Sequence, residues 1–93
     1  MTEKQVTVMN RAGIHARPAA LIAQTANKFK SDISIKMNAG QADEIEINAK
    51  SIMGVITMAA GYKTLLLVIA NGDDEQEAVE AIQTLFENKF EEE

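Results

Sequence analysis

Two spacings of apolar residues follow one another along this chain, and their order restricts its fold more than any other feature. Alternation of apolar with polar residues is typical of half-buried strands, whereas recurrence every three or four residues is typical of amphipathic helices. A short continuous apolar run is typical of a central strand. By these criteria the predicted strands are 4–9, 33–37, 45–47 and 65–70, and the predicted helices are 15–29, 51–58 and 74–86. This order predicts an α+β domain in which helices cover one face of a mainly antiparallel sheet.

Turn and capping residues support some of these elements. Residues 38–40, Asn-Ala-Gly, are typical of a turn and predict a β-hairpin between the second and third strands. Asp74, followed three residues later by Glu77, predicts a capping box at the start of the last helix. In the last strand, we expect Leu66 and Val68 to point toward the open face of the sheet.

Composition narrows the classes of function. The 93 residues contain no low-complexity linker, so we expect one domain over residues 1–93. The absence of cysteine and the presence of one histidine argue against disulfides, thiol chemistry and zinc, and we expect neither a metal nor a cofactor. The sequence lacks a signal-peptide pattern and any apolar run of about 20 residues, so we expect a cytoplasmic protein without membrane insertion.

The charge of the chain is unevenly distributed. The net charge is −5, but residues 1–72 hold eight basic and five acidic side chains, whereas residues 73–93 hold one and nine. A mildly basic body beside an acidic terminus argues against general nucleic-acid binding. It leaves room for a local anion or an acidic partner.

The single histidine lies where a loop becomes the first predicted helix. Gly13 allows a sharp turn, and Pro18 is tolerated only near a helix start, so His15 falls at or just before the N-cap. Unpaired backbone N–H groups and Arg17 then favour a phosphate beside an imidazole that can attack phosphorus. The chain has no GxxxxGK[ST] loop, second histidine or evident carboxylate cluster for magnesium, which favours a carrier over a kinase. The alternative is that His15 is an exposed cap and Arg17 a solvated charge.

Two segments resemble a known family. Residues 13–19, Gly-Ile-His-Ala-Arg-Pro-Ala, closely resemble the phosphorylation-site motif of HPr, the histidine-containing phosphocarrier family of the bacterial phosphoenolpyruvate:sugar phosphotransferase system. Residues 50–55 and 72–75 are also similar to that family, as are the length and the element order. The resemblance implies an open-faced β-sandwich, with four antiparallel strands and three helices on one face. It implies a carrier of phosphoryl groups rather than an enzyme.

The resemblance also implies roles for individual residues. His15 would accept a phosphoryl group at Nδ1 from phosphorylated Enzyme I, which is charged by phosphoenolpyruvate, and pass it to Enzyme IIA, while Arg17 would steady the phosphate. Ser51 is a favoured N-cap residue, and it also matches a serine that HPr kinase/phosphorylase modifies in some bacteria, where the product binds a catabolite-control transcription factor. The protein would be a monomer. The residues implied on or near the docking surface are Ile14, Ala16, Ala20, Ile52, Met53 and Met58.

Some features depart from the family pattern and keep alternatives open. The hairpin between residues 37 and 48 is longer than usual for HPr, and Ala12 stands where many members have Asn or Ser. Ala12 and residues 85–91 resemble instead NPr, the nitrogen-type phosphocarrier, which would serve a different Enzyme I and IIA. A further alternative is a ferredoxin-like regulatory module for a small ligand, with His15 incidental. An acylphosphatase-like hydrolase is disfavoured, because no glycine-flanked phosphate loop with Arg and Asn is present.

Overall fold

The computed structural model describes residues 1–92 and contains seven main elements. The strands are β1 (Thr2–Thr7), β2 (Asp32–Met37), β3 (Ile45–Asn48) and β4 (Leu65–Asn71), and the helices are α1 (Ala16–Ala26), α2 (Ile52–Met58) and α3 (Glu75–Glu87). A 3₁₀ turn at Lys89–Glu91 follows α3. The predicted order of strands and helices is confirmed. Glu93, the last residue of the predicted domain, lies outside the described residues.

The four strands form one antiparallel sheet in the order β1-β4-β2-β3. β4 is therefore a central strand, as its continuous apolar run predicts, and β2 and β3 form the predicted hairpin. One face of the sheet packs against all three helices, so the fold is the expected open-faced α+β sandwich. The buried core combines alternate strand residues with the apolar faces of the helices, including Ile35, Val68, Ile22, Val55, Ile82 and Phe86.

The direction predicted for two side chains of β4 is wrong. Leu66 and Val68 are 1% and 0% exposed and lie in the core beneath the helices. β4 has apolar residues on both faces, so its own pattern does not distinguish them. The strand pairing distinguishes the two faces, because paired residues lie on the same face of a sheet. Leu66 lies opposite Val6, and Val68 lies opposite Ile35. Leu65 and its alternate neighbours face the open side instead.

The predicted capping box of the last helix is also not formed. Asp74 is the N-cap of α3, but its carboxylate accepts hydrogen bonds from the N–H groups of Lys30 and Ser31, both at 2.9 Å, and from the Ser31 hydroxyl. These bonds, that of the Ser31 hydroxyl first, lower the pKa of Asp74 to about 2. It is Glu75, rather than Glu77, that reaches back to the N–H of Gly72 at 3.2 Å. Asp74 therefore ties α3 to the segment that enters β2.

The 3₁₀ turn redirects the chain after α3. Lys89, Phe90 and Glu91 all have positive φ, which is a costly conformation for residues other than glycine. Phe90 is fully buried, and its ring lies edge-on to that of Phe86 with 4.9 Å between centroids. Burying a phenylalanine side chain is worth about 1.5–3 kcal/mol, which offsets part of the strain of the turn. Within residues 1–92, no helix has the length and apolar character needed to cross a membrane.

Candidate functional site

The loop before α1 is held from both sides. The side chain of Asn10 is fully buried, and its Nδ2 donates to the carbonyl of Gly13 at 2.7 Å. The N–H of Ile14 donates to the carbonyl of Ala60 at 2.9 Å. Gly13 has φ of +75°, and a Cβ at this position would lie 2.8 Å from that carbonyl oxygen. Only glycine therefore fits this turn, which brings the chain into α1 at a fixed angle.

His15 is the N-cap of α1, as the sequence predicts. Its carbonyl accepts the N–H of Ala19 at 3.0 Å, but its side chain makes no capping bond and is 44% exposed. Arg17 and Pro18 lie in the first turn of the helix. The first N–H groups of a helix have no intrahelical acceptor and lie at the positive end of its dipole. The imidazole thus stands beside a site suited to an anion.

Residues from the carboxyl end of the chain complete this site. Oε2 of Glu92 lies 2.9 Å from Nε2 of His15, and Oε1 of Glu92 accepts from Nδ2 of Asn10 at 3.0 Å. Nη1 of Arg17 donates to the carbonyl of Phe90 at 3.1 Å and lies 3.9 Å from Oε2 of Glu92. Glu92 is not predicted as a site residue from the sequence, because its segment shows no feature beyond a run of acidic residues.

The arrangement defines what the site can do chemically. One ring nitrogen of His15 is occupied by a carboxylate, which leaves the other as the nitrogen able to form a new bond. The Arg17 side chain is 54% exposed and carries five N–H donors, so one bond to Phe90 leaves others for an anion. Among residues 1–92, no group of three His, Cys, Asp or Glu side chains is placed to hold a metal ion.

Ser51 lies at the other end of the helical layer. It is the N-cap of α2, and its Oγ accepts the N–H of Gly54 at 3.0 Å. Nδ2 of Asn27, which follows α1, donates to the carbonyl of Lys50, whereas Ala60, which follows α2, contacts the loop before α1. The two helices are therefore antiparallel. Since α1 has 11 residues, His15 and Ser51 are separated by about 16 Å along its axis.

The six residues implied for docking fall into two groups. Met53 is 67% exposed and Ile52 43%, while Ala16 is also exposed and Ala20 half-buried. Ile14 and Met58 are only 5% and 1% exposed, so they lie beneath the surface and offer a partner almost no side-chain area; their place near a docking surface stays a prediction. Both side chains belong to the core, where they fill the space between the helices and the sheet.

Comparison with known proteins gives a consistent result. A family model described as PTS HPr component phosphorylation site matches residues 2–88. The phosphocarrier protein HPr of Treponema pallidum is 54% identical over 93 residues, all of both chains. The HPr-like protein Crh of Halalkalibacterium halodurans is 45% identical over 89 residues, which are 96% of this chain and 100% of the relative.

Solved structures agree with this assignment. The crystal structure of HPr-C-His from Thermoanaerobacter tengcongensis has a TM-score of 0.88 and 43% identity, and the match covers 100% of this chain and 99% of that one. The resemblance noted in the sequence is thereby confirmed over nearly the whole chain. HPr proteins are carriers in a phosphotransfer relay, not catalytic enzymes. This chain belongs to the HPr family, the phosphocarrier proteins of the phosphotransferase system.

Proposed function

We propose that His15 accepts a phosphoryl group at Nδ1 from phosphorylated Enzyme I and transfers it to Enzyme IIA in sugar uptake. The observation that supports this role most strongly is the position of His15. It is the N-cap of α1, half-exposed, without a capping bond of its own, and two residues before Arg17. Because the relay starts from phosphoenolpyruvate, a cytoplasmic metabolite, we place this activity in the cytoplasm.

The proposed transfer needs little more than alignment and stabilisation of charge. The Nδ1 lone pair forms a bond to phosphorus while the bond from phosphorus to the donor atom breaks, and that electron pair stays with the donor. The amino-terminal N–H groups of α1 and the guanidinium of Arg17 then face the phosphate oxygens. Partner proteins supply the remaining groups, because the site itself holds one nucleophile and one cation.

The pathway has a second candidate. Ala12, which precedes the site, and the segment 85–91 resemble the nitrogen-type carrier NPr, which would use a nitrogen-type Enzyme I and IIA. The chemistry at His15 is the same in both relays. The choice between them therefore depends on which Enzyme I phosphorylates the protein faster.

We propose that partner proteins dock on a helical surface that extends from Ala16 and the half-buried Ala20, near His15, to the exposed Ile52 and Met53 at the start of α2. Apolar side chains near a basic residue suit a transient interface of modest area. We also propose that the working unit is a monomer, since one chain supplies every residue of the site.

Ser51 is proposed as a regulatory site for HPr kinase/phosphorylase in an organism that has this enzyme, with a catabolite-control transcription factor as a further partner. A phosphate at a helix N-terminus is electrostatically acceptable and adds a charge of nearly −2. The distance of about 16 Å to His15 exceeds the Debye length of about 8 Å at physiological salt. Phosphorylation of Ser51 is therefore expected to hinder docking rather than the chemical step.

Intact-mass measurement tests the main proposal. The protein is incubated with magnesium, phosphoenolpyruvate and either a sugar-type or a nitrogen-type Enzyme I, and then treated briefly with acid. We expect an acid-labile gain of one phosphate that is absent from His15→Ala. If the mass does not change with either Enzyme I, the carrier role of His15 is refuted. If His15→Ala still gains phosphate, another residue is the acceptor.

A further inference from the structure

Among residues 1–92, Glu92 is the one carboxylate in an ion pair with the proposed acceptor, His15. Its side chain is only 16% exposed, although it lies at the end of the described chain, and its two oxygens have different partners. Oε1 accepts from Asn10 and Oε2 lies 2.9 Å from Nε2 of His15. A carboxylate accepts hydrogen bonds only, so Nε2 must carry the proton of this contact.

The buried amide of Asn10 fixes this carboxylate. Its Nδ2 group has two hydrogens, and the structure gives it two acceptors, the carbonyl of Gly13 at 2.7 Å and Oε1 of Glu92 at 3.0 Å. The same side chain therefore positions both the loop that leads into His15 and the carboxylate that contacts its ring. Phe90 provides the second anchor, because its fully buried ring fixes the backbone two residues before Glu92.

We propose that Glu92 is a positioning residue for His15, an inference that rests on the proposed function of His15 as phosphoryl acceptor. By accepting the Nε2–H, it holds the ring in one orientation and in one tautomer. The lone pair is then on Nδ1, the nitrogen that is to attack phosphorus. In catalytic triads, too, a carboxylate accepts the N–H of one ring nitrogen of a histidine and so leaves the lone pair on the other nitrogen.

The same contact stabilises the product of the transfer. When the Nδ1 lone pair bonds to phosphorus and the donor keeps the electrons of the broken bond, the proton stays on Nε2 and the ring becomes a cation. Glu92 faces that cation directly at Nε2. The carboxylate lies on the Nε2 side of the ring, away from Nδ1, and Arg17 at 3.9 Å offsets its negative charge. Glu92 therefore favours the phosphorylated ring without occupying the place of the phosphate.

The test is the tautomer of His15 in the unphosphorylated protein, measured by ¹⁵N NMR of the ring nitrogens at pH 9, where a histidine ring is ordinarily neutral. The variants are Glu92→Ala, Glu92→Gln and, as a matched control, Glu91→Ala at the exposed neighbouring position. We expect a single Nε2–H form in the wild type and in Glu91→Ala, and a mixture of both tautomers in Glu92→Ala. Glu92→Gln should also give a mixture, because its amide has one oxygen for two donors, the Nδ2–H of Asn10 and the Nε2–H of His15.

Phosphoryl transfer from Enzyme I provides the second measurement. Glu92→Ala should slow the transfer by about 3- to 10-fold, less than the loss of a buried triad carboxylate, because this pair is partly open to water. Glu92→Gln should slow the transfer to a similar extent, since it supplies neither the negative charge nor an acceptor for both donors. A Glu92→Ala protein with the wild-type tautomer and rate refutes the inference, and so does an equal effect of Glu91→Ala. The NMR result does not require phosphorylation, so its failure is distinguishable from a failure of the carrier role.

Discussion

Replacement of Gly13 by alanine tests whether the turn before His15 requires glycine. The φ of +75° at Gly13 costs an alanine about 1–2 kcal/mol. The new Cβ would also lie 2.8 Å from the carbonyl oxygen of Ala60, which is backbone and cannot rotate away. That oxygen accepts the N–H of Ile14, a bond worth about 1 kcal/mol that must lengthen or break. Together these terms predict a loss of about 2–3 kcal/mol in the free energy of unfolding.

Gly40 provides a matched control. Its φ is +80°, but a Cβ there would have no neighbour within 4 Å. Gly40→Ala should therefore cost only the conformational part, about 1–2 kcal/mol. Both substitutions reduce the entropy of the unfolded chain equally, so that contribution cancels in the comparison. The difference between the two variants measures the contact with Ala60.

Thermal unfolding followed by far-UV circular dichroism measures both variants. For a domain of this size, each kcal/mol lowers the Tm by about 4–8 °C, so Gly13→Ala should fall by about 10–20 °C and Gly40→Ala by less. The rate of phosphoryl transfer should also fall in Gly13→Ala alone, because the carbonyl of Gly13 is bonded to the N–H of His15 at 3.1 Å. Equal losses of Tm in the two variants would refute the argument that the loop is held against Ala60.

Three further predictions concern other parts of the molecule. Asp74, with its pKa lowered to about 2, stabilises the folded state above pH 4, and this contribution should disappear as the pH falls from about 4 to 2. In urea titrations, Asp74→Asn should therefore reduce the free energy of unfolding at pH 7 but have little effect at pH 2. A loss that is the same at both pH values would contradict the role of the Asp74 charge. Ser51→Asp should raise the KM for Enzyme I in steady-state transfer assays and leave kcat within about twofold, whereas a fall in kcat alone would place the effect at His15. Arg17→Lys keeps the charge but loses the planar fork, so single-turnover transfer should slow without stopping, and an unchanged rate would indicate that backbone N–H groups bind the phosphate alone.

The sequence predicts the elements of this fold well, because each has a local cause. The alternating residues of β2 and β3, the turn between them and the N-caps at His15 and Ser51 all depend on neighbours a few positions away. The face of the sheet on which Leu66 lies does not depend on such neighbouring residues. β4 is apolar on both sides, and only its register with the strands beside it determines which residues enter the core.

The start of α3 also shows that a local sequence pattern does not reveal long-range contacts. Asp74 and Glu77 have the spacing of a capping box, which is a local motif, and the sequence therefore predicts one. In the structure the Asp74 carboxylate is used by Lys30 and Ser31, more than 40 residues away in the chain. A long-range contact that offers three hydrogen bonds replaces a local motif that offers two, and no spacing rule anticipates that choice.

Some residues of the candidate site are predictable from the local sequence, and others are brought to it by tertiary packing. His15, Arg17 and the helix start that they share lie within a few residues, so the sequence alone predicts a phosphate acceptor there. Glu92 reaches His15 only because α3 ends at residue 87, three successive residues take positive φ, and Phe90 enters the core. Each of these conditions depends on packing rather than on local pattern. The group proposed to select the reactive nitrogen is therefore contributed by the tertiary structure, while the proposed nucleophile is contributed by the motif.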